Sequence, residues 1–469
     1  MIMSPVTDNP DPASRQAAIA ELAPLLGERL STADSERNHH AKDACHHAPQ
    51  PPDAVVFPKT NEEVAEIARI CTRHRVPIVP YGTGTGVEGG VVAIQGGVSL
   101  DTSRMNRVLR VGTEDMDATV QAGVTRVELN SHLREIGTEL FFPVDPGADA
   151  SLGGMAATCA SGSSAVRYGT MRDNVLALTV VMADGRIIQT GSRARKSVSG
   201  YDLNHLLIGS EGTLGVITEV TVKLLRLPEA VSSAVCAFGD IESAVNTVIE
   251  VLTSGISMAR IELLDEIQVA AVNKYSRLNY KESPTLFFEF HGTQAAVEEQ
   301  AQRVEKIVAR RGGERFQWAT ETSDRDRLWQ ARYDAYYASL ALRPGSAGYV
   351  TDVCVPISQL AECIRQTKKE LEGTQVPAPL FGHVGDGNFH VVFLVDPNSP
   401  AELAEVRALD SRIVAYALAR GGTATGEHGI GLGKLDALLK EHGEGAAVMK
   451  TIKKALDPDN IMNPGKVLR

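Results

Sequence analysis

Between residues 53 and 82 the apolar positions change period twice. DAVVFP (53–58) is a short apolar run, TNEEVAEIARICTRHR (60–75) carries apolar residues at 64, 67, 68 and 71, and VPIVPYG (76–82) is apolar again. The middle spacing places its apolar side chains on one helical face and the flanking runs fit strands, so the pattern predicts strand–helix–strand. The alternation returns further on. VSSAVCAF, IESAVNTVIEVL and MARIELLD make one such unit; TLFFEFHG, AAVEEQAQRVEKIVARR and FQWAT make a second. An opening helix is predicted over Ala13–Leu30. The polar, proline-ended stretch after it, NHHAKDACHHAPQPP, reads as a solvated loop despite its four histidines, because the pattern holds no carboxylate or thiol beside them in a fixed geometry.

Composition narrows the class. At 469 residues the chain is too long for one ordinary core, so two or more domains are expected. With 43% hydrophobic and 22% charged residues, and no apolar run long enough to span a bilayer, it reads as a globular protein without a membrane span. A net charge of −11 gives no general attraction for nucleic acid or anionic lipid, and an anionic substrate would need positive charge supplied by the site. The six cysteines form no CxxC pair, which argues against a disulfide framework and an iron–sulfur cluster. MIMSPVTDNPDPASR, with one arginine, resembles neither a secretory signal nor an arginine-rich transit peptide, so a cytoplasmic location is expected, or a membrane-peripheral one through an electron acceptor.

Three glycine-rich segments then point to a ligand. In YGTGTGVEGG (81–90), Gly84, Gly86 and Gly89 match G-x-G-x-x-G, with Asp101 downstream where a ribose-binding acid would be sought. The dinucleotide fingerprint needs a helix opening inside the glycines. Here VVAIQGGVSLD follows, and Gly96 and Gly97 leave no room for one. Successive glycine N–H groups can still cradle a phosphate without a helix. The small residues of 143–188 and the run IGSEGTLGVITEVTVKL (208–224) extend the same character, as if a long ligand lay across several loops.

A different chemistry is carried by FGHVGDGNFH (381–390). Odd spacing on a straight strand would put His383 and His390 on opposite faces, but Gly385, Asp386, Gly387 and Asn388 predict a chain reversal that lets the imidazoles converge. Two imidazoles can anchor a divalent ion, and a catalytic site wants a third protein ligand with open positions left. TGEHGIG (425–431) offers Glu427 and His428 between glycines. The bland alternative is a pair of structural histidines in a turn.

Taken in order, YGTGTGVEGG, DPGADASLGGMAATCASGSSAVRYGTMRDN, GSEGTLGVITEVTVKL, GHVGDGNFH, TGEHGIG and DPDNIMNPGKVL resemble the flavin-linked D-2-hydroxyacid dehydrogenases of the vanillyl-alcohol-oxidase superfamily, from about Asp53 to the C-terminus. The resemblance implies an α+β protein: a two-subdomain FAD-binding fold of vanillyl-alcohol-oxidase type (53–227), an α+β cap or substrate domain (228–422) and a C-terminal segment returning to the FAD domain (423–469), which leaves the helix and loop read from the pattern as an N-terminal segment (1–52). It implies FAD held by Pro80, Tyr81, Gly82, Thr83, Gly84, Thr85 and Gly86, by Pro146, Gly147, Ser151, Gly154, Ser161, Gly162, Tyr168 and Ile217, and by Asn463. Some relatives attach the flavin to a histidine of the first loop. Val87 follows Gly86 here and no histidine occurs there, so the FAD is expected to be non-covalent.

It further implies a divalent metal, Zn or Mn, on His383, His390 and Glu427, with His428 as the base, the two adjacent side chains pointing to opposite sides of an extended segment. Arg332 matches the substrate-binding arginine, with Trp329 and Tyr336 one helical turn either side. Relatives acting on D-2-hydroxyglutarate carry a lysine before the Asp-x-x-x-Pro run, where this chain has Val350, so D-lactate or a longer apolar D-2-hydroxyacid is expected in preference to the diacid. Glycolate stays open, as do cytochrome c, a quinone or an electron-transfer flavoprotein as acceptor, and a homodimer. Two other classes compete: a metal-dependent hydrolase on the same histidines, which leaves the glycine segments unexplained, and a non-catalytic flavin-binding subunit, which would not need the metal and base set.

Overall fold

The structure, a computed structural model, describes residues 11–469; the first ten residues of the N-terminal stretch lie outside them. The opening helix runs Pro12–Leu26 and then tightens into a 3-10 turn at Gly27–Arg29, shorter than the predicted Ala13–Leu30, because Gly27 takes a positive φ of 54° that ends the α-helical path. Ala18, Leu22 and Leu26 bury their side chains against the helix Asn61–His74, whose buried residues include Val64, Ile67, Ala68 and Cys71, the positions read from the spacing. Thr60 caps that helix by accepting the Glu63 N–H.

Two sheets carry the N-terminal half. In the first, Ala54–Val56 and Ile78–Tyr81 each pair in parallel with Val98–Asp101, and Leu30–Ser31 closes the edge. The second is antiparallel, in the order Val108–Gly112, Asp117–Gln121, Val216–Lys223, Val175–Val181, Ile187–Gln189. Between Tyr81 and Val98 the chain forms neither helix nor strand, as the glycines require. Asp101 does not wait for a ribose: its Oδ2 lies 2.8 Å from His40 Nε2. That contact also corrects the reading of the histidine stretch as solvated, since His40 is 1% exposed.

The cap is an eight-stranded sheet. Glu314–Ala319, Ala230–Ala237, Thr285–Gly292, Arg260–Leu264, Leu380–Gly382, Asn388–Val395 and Ala347–Val350 follow one another, and Val353–Cys354 adds to Asn388–Val395. Period-two alternation buries both faces. Phe288 and Phe290 join one apolar cluster with the helices Ile241–Thr253, Gln294–Arg310 and Leu360–Glu370, whereas Val235 and Phe287 join another with the helices Glu266–Ser276, Thr322–Tyr333 and Ala335–Leu342. After the cap the chain returns to the first sheet. Met462 bridges Ile78, the Asn463 N–H donates to the Ile78 carbonyl at 2.8 Å, and Ile461 and Met462 are buried in that sheet's core. The fold is therefore the vanillyl-alcohol-oxidase type, with glycine loops, cap sheet and C-terminal return converging on one space.

Candidate active site

That space is a cavity of about 610 Å³. Pro80, Tyr81, Gly82, Thr83, Gly84, Thr85 and Gly86 line it, together with Pro146, Gly147, Gly154, Ser161, Ile217 and Asn463. Small residues here are a steric requirement. A Cβ on Gly82 would sit 2.5 Å from Ser151 Oγ, and Gly84 adopts a φ of +66°. Three residues expected at the ligand do not line the cavity. Ser151 lies behind Gly82 and caps the helix Leu152–Thr158 through the Gly154 N–H, Gly162 turns tightly over the Asp145 carbonyl with a φ of +116°, and the Tyr168 hydroxyl is taken up by His291 Nδ1 at 2.6 Å. Asp43, Glu88 and Glu211, not singled out in the sequence, do line it.

At the cap end of the cavity the two predicted histidines meet. Leu380–Gly382 and Asn388–Val395 form a hairpin with Phe381 opposite His390, so the reversal occupies His383–Gly387 and Asn388 already belongs to the second strand. The imidazole centroids of His383 and His390 are 5.6 Å apart. His383 Nε2 and His390 Nε2 each lie 3.2 Å from the same oxygen, Glu427 Oε1. The other ring nitrogens are occupied: His383 Nδ1 is 2.7 Å from Glu262 Oε1, and His390 Nδ1 is 3.1 Å from the Thr351 carbonyl. A histidine whose Nδ1 proton is held in this way turns the lone pair of Nε2 toward a metal.

Glu427 and His428 do not point to opposite sides. Gly426 and Gly429, the latter at a φ of +84°, release the segment from strand alternation, and both side chains line the cavity with His428 Nε2 3.8 Å from Glu427 Oε1. Asp352, buried and unforeseen, makes this bend. Its Oδ2 accepts the backbone N–H groups of Glu427 (2.9 Å) and His428 (2.8 Å) and the Thr425 hydroxyl (2.7 Å), while Oδ1 accepts from Asn388 Nδ2 at 2.9 Å. Its carboxyl stays below the ordinary aspartate range, because His428, Lys434 and His390 outweigh the burial that opposes its charge. Asp352, His390, Glu427 and His428 each offer a donor atom within 4.8 Å of the others. With Asp352 Oδ2 already bonded three times, His383 is the better third ligand. The set of two imidazoles and one carboxylate, with ring orientations fixed from behind, fits a divalent ion.

Burial pushes His428 down to about 4, against the pull of Asp352, so the imidazole is neutral near pH 7. Neither ring nitrogen makes a hydrogen bond within the described residues. His383 behaves oppositely: burial disfavours its charge, but Glu262 and Glu427 prevail and hold it up to about 10.

Arg332, Trp329, Tyr336 and Val350 also line the cavity. The Arg332 guanidinium stands over the Phe381 ring, and its Nε donates to Glu262 Oε2 at 2.6 Å. Its terminal nitrogens make no hydrogen bond within the described residues, which leaves them for an anion. The Trp329 Nε1–H donates to Ser233 Oγ at 3.0 Å, so that residue is anchored in the cap core and turns only part of its ring to the cavity. Tyr336 is not one turn further along the same helix. The helix ends at Tyr333 and a new one begins at Ala335, yet both deliver aromatic side chains to the same space. Glu262, fully buried on the strand Arg260–Leu264, was the other omission from the sequence reading. The available signal was an acid flanked by Ile261, Leu263 and Leu264 in MARIELLD, a burial that requires a partner.

A long glycine-lined cavity with exposed backbone fits an extended phosphate-bearing cofactor such as FAD. The histidines lining it among the described residues are His383, His390 and His428, all at the cap end, so none serves as a flavin attachment point in the first loop. Comparison with known proteins bears on the same point. Residues 52–191 match an FAD binding domain, and residues 227–467 match the C-terminal domain of FAD linked oxidases. The chain is 52% identical over 445 residues to the probable mitochondrial D-lactate dehydrogenase of Danio rerio, covering 94% of this chain and 89% of that protein. It is 48% identical to the mitochondrial D-lactate dehydrogenase (cytochrome) of Arabidopsis thaliana, covering 96% and 80%. Among solved structures, 4-ethylphenol oxidase from Gulosibacter chungangensis superposes with a TM-score of 0.83 over 98% of both chains at 18% identity, a likeness of fold.

Proposed function

Because the chain belongs to the FAD-linked oxidases, we propose that it is an FAD-dependent dehydrogenase that oxidises D-lactate or a related apolar D-2-hydroxyacid to the 2-oxoacid, with a divalent ion, Zn or Mn, held by His383, His390 and Glu427. The observation that carries this reading is the convergence of both imidazole Nε2 atoms on Glu427 Oε1, beside an unbonded His428, at one end of the glycine-lined cavity. When bound, FAD would supply a hydride acceptor at N5 and the metal a Lewis acid for the substrate's carboxylate and hydroxyl oxygens.

The rest is done by the chain's own side chains. The two free terminal nitrogens of Arg332 form a fork for the substrate carboxylate, while Glu262 holds the third nitrogen and fixes the plane of the guanidinium. Neutral His428 accepts the hydroxyl proton, and Asp352 sets the place of that ring by holding its backbone. Phe381, Trp329, Tyr336 and Val350 keep that end of the cavity apolar and exclude water from the reacting carbon. Val350 leaves the distal carboxylate of a diacid without a partner, which favours lactate and longer apolar acids.

Reduced flavin has to pass its electrons on, and cytochrome c, a quinone or an electron-transfer flavoprotein each suits that step. No helix among the described residues is long and apolar enough to cross a membrane. Both named relatives are described as mitochondrial, which lends no support to a cytoplasmic address. The test is an anaerobic visible spectrum after D-lactate, after L-lactate, and after metal removal. Bleaching of the flavin band by the D isomer, lost on chelation, is the expected result. A flavin that no D-2-hydroxyacid bleaches sinks the assignment.

A further inference from the structure

Glu262 occupies a position where an apolar residue would be expected. Its strand, Arg260–Leu264, is central in the cap sheet, paired on one side with Thr285–Gly292 and on the other with Leu380–Gly382. Leu264, two residues on and on the same face, belongs to the apolar cluster that includes Trp329 and Phe381. A carboxylate taken fully out of water there is costly unless every acceptor is used. Both are. Oε2 accepts from Arg332 Nε at 2.6 Å and Oε1 takes the His383 Nδ1 proton at 2.7 Å. Arg332 and His383 are 51 residues apart in the chain, on a helix and in a hairpin, and among the described residues Glu262 is the one group bonded to both.

We infer that Glu262 is a positioning residue that couples metal binding to substrate binding: one buried carboxylate fixes the donor face of the metal ligand His383 and the orientation of the substrate fork Arg332. This rests on the function proposed above. The chemistry is specific to a carboxylate. Both partners present N–H groups, so both oxygens must accept. A glutamine in its place has one accepting oxygen and one donating amide, and the amide must face one of the two donors. Facing His383, it drives the ring to the tautomer with its proton on Nε2, which cannot ligate a metal. Facing Arg332, it repels the guanidinium and disorders the fork. The coupling also runs the other way. Without Arg332 the Glu262 carboxylate loses the donor that fixes its plane, and the orientation of His383 is held less firmly.

The experiment uses the full-length flavin-loaded protein as wild type, Glu262→Gln and Arg332→Met, with Zn affinity read by competition against a chromogenic chelator. FAD content and Tm are measured alongside, and KM and kcat for D-lactate are taken at saturating Zn. Glu262→Gln is expected to keep its FAD, to lose about 10- to 100-fold in Zn affinity, and to show a raised KM even when Zn is saturating. Arg332→Met is expected to bind Zn more weakly than wild type, and this arm stands even if Glu262→Gln does not fold. A Glu262→Gln protein with a lowered Tm but unchanged Zn affinity and KM overturns the inference, as does Zn affinity unmoved by Arg332→Met. A wild-type protein that holds FAD but takes up no Zn or Mn overturns the functional reading itself, and the coupling with it.

Discussion

Asp352 holds His428 by its backbone: Oδ2 of the buried carboxylate accepts the His428 N–H at 2.8 Å, while the imidazole of His428 stacks on that of His390 at a centroid distance of 5.0 Å and 13° between planes. A group outside the cavity lining therefore sets where the proposed base stands. Asp352→Asn keeps the volume but turns an amide toward one set of donors and loosens the bend. The expected result is a fall in kcat of about 10²-fold, the cost of displacing a catalytic group by about 1 Å, with FAD retained. Steady-state kinetics and the flavin spectrum check both halves, and an unchanged kcat rules the positioning role out.

His428 has no hydrogen-bonding duty to lose within the described residues, so its replacement should leave the fold and the metal set in place. His428→Gln is expected to lower kcat by about 10²- to 10⁴-fold, the usual contribution of a positioned general base. Metal content and FAD content should match wild type. A near-normal kcat in this variant would assign the proton to another group.

The three proposed ligands should behave alike and unlike His428. His390→Ala and Glu427→Gln are expected to lose bound metal and to keep the flavin band, since the Ser161 hydroxyl, which donates to Glu427 Oε2 at 3.3 Å, can still donate to a glutamine oxygen, and His390 makes no hydrogen bond to the glycine loops among the described residues. Chelation of wild type should reproduce their loss of turnover, and added Zn or Mn should restore it for wild type alone. Activity that survives complete metal removal contradicts the ligand assignment.

The histidine hairpin was legible because the glycines at 385 and 387 interrupt two apolar runs, and a chain that reverses there brings both flanks together. The absence of a helix after Gly86 was legible for the same kind of reason. The direction of Glu427 and His428 was not, because the alternation rule presumes an extended backbone and Gly429 removes it. Tyr336 was misplaced by one helix, since nothing in RYDAYY announces the break at Asp334. Glu262 and Asp352 were missed for a more general reason. Each is a single acid in an apolar run, and its role is defined by partners 36 to 121 residues away in the chain, which only folding brings near. The residues proposed to touch a ligand left local patterns, whereas those that orient them left almost none.

Val350 gives a test of specificity by gain. It lines the same cavity as Arg332 and His390, at the position where the family resemblance implies a lysine in enzymes that act on a diacid. Val350→Lys is expected to raise kcat/KM for D-2-hydroxyglutarate and to lower it for D-lactate, because an ammonium there pairs the distal carboxylate but stands unpaired beside a methyl group. Side-by-side kinetics on the two acids decide it. A variant that loses D-lactate without gaining the diacid would place the distal group elsewhere in the cavity.

Lys466 provides a pH test of the fold that does not depend on catalysis. The residue is 2% exposed, and among the described residues its ammonium has one hydrogen bond, to Asn463 Oδ1 at 3.0 Å. Burial pushes it down to about 7, against the opposing pull of Glu211 and Asp43. The unfolded chain keeps this proton until about pH 10.4, so between these values the unfolded state binds a proton that the native state does not, and stability rises with pH across the window. Below about pH 7 both states carry the charge and the penalty for burying it is constant. Lys466→Met removes the titration altogether. The Tm of wild type minus that of the variant is therefore expected to be lowest and flat below pH 6 and to climb steadily from pH 7 to pH 10. A difference that stays constant over that range would mean that Lys466 is charged in the native protein throughout.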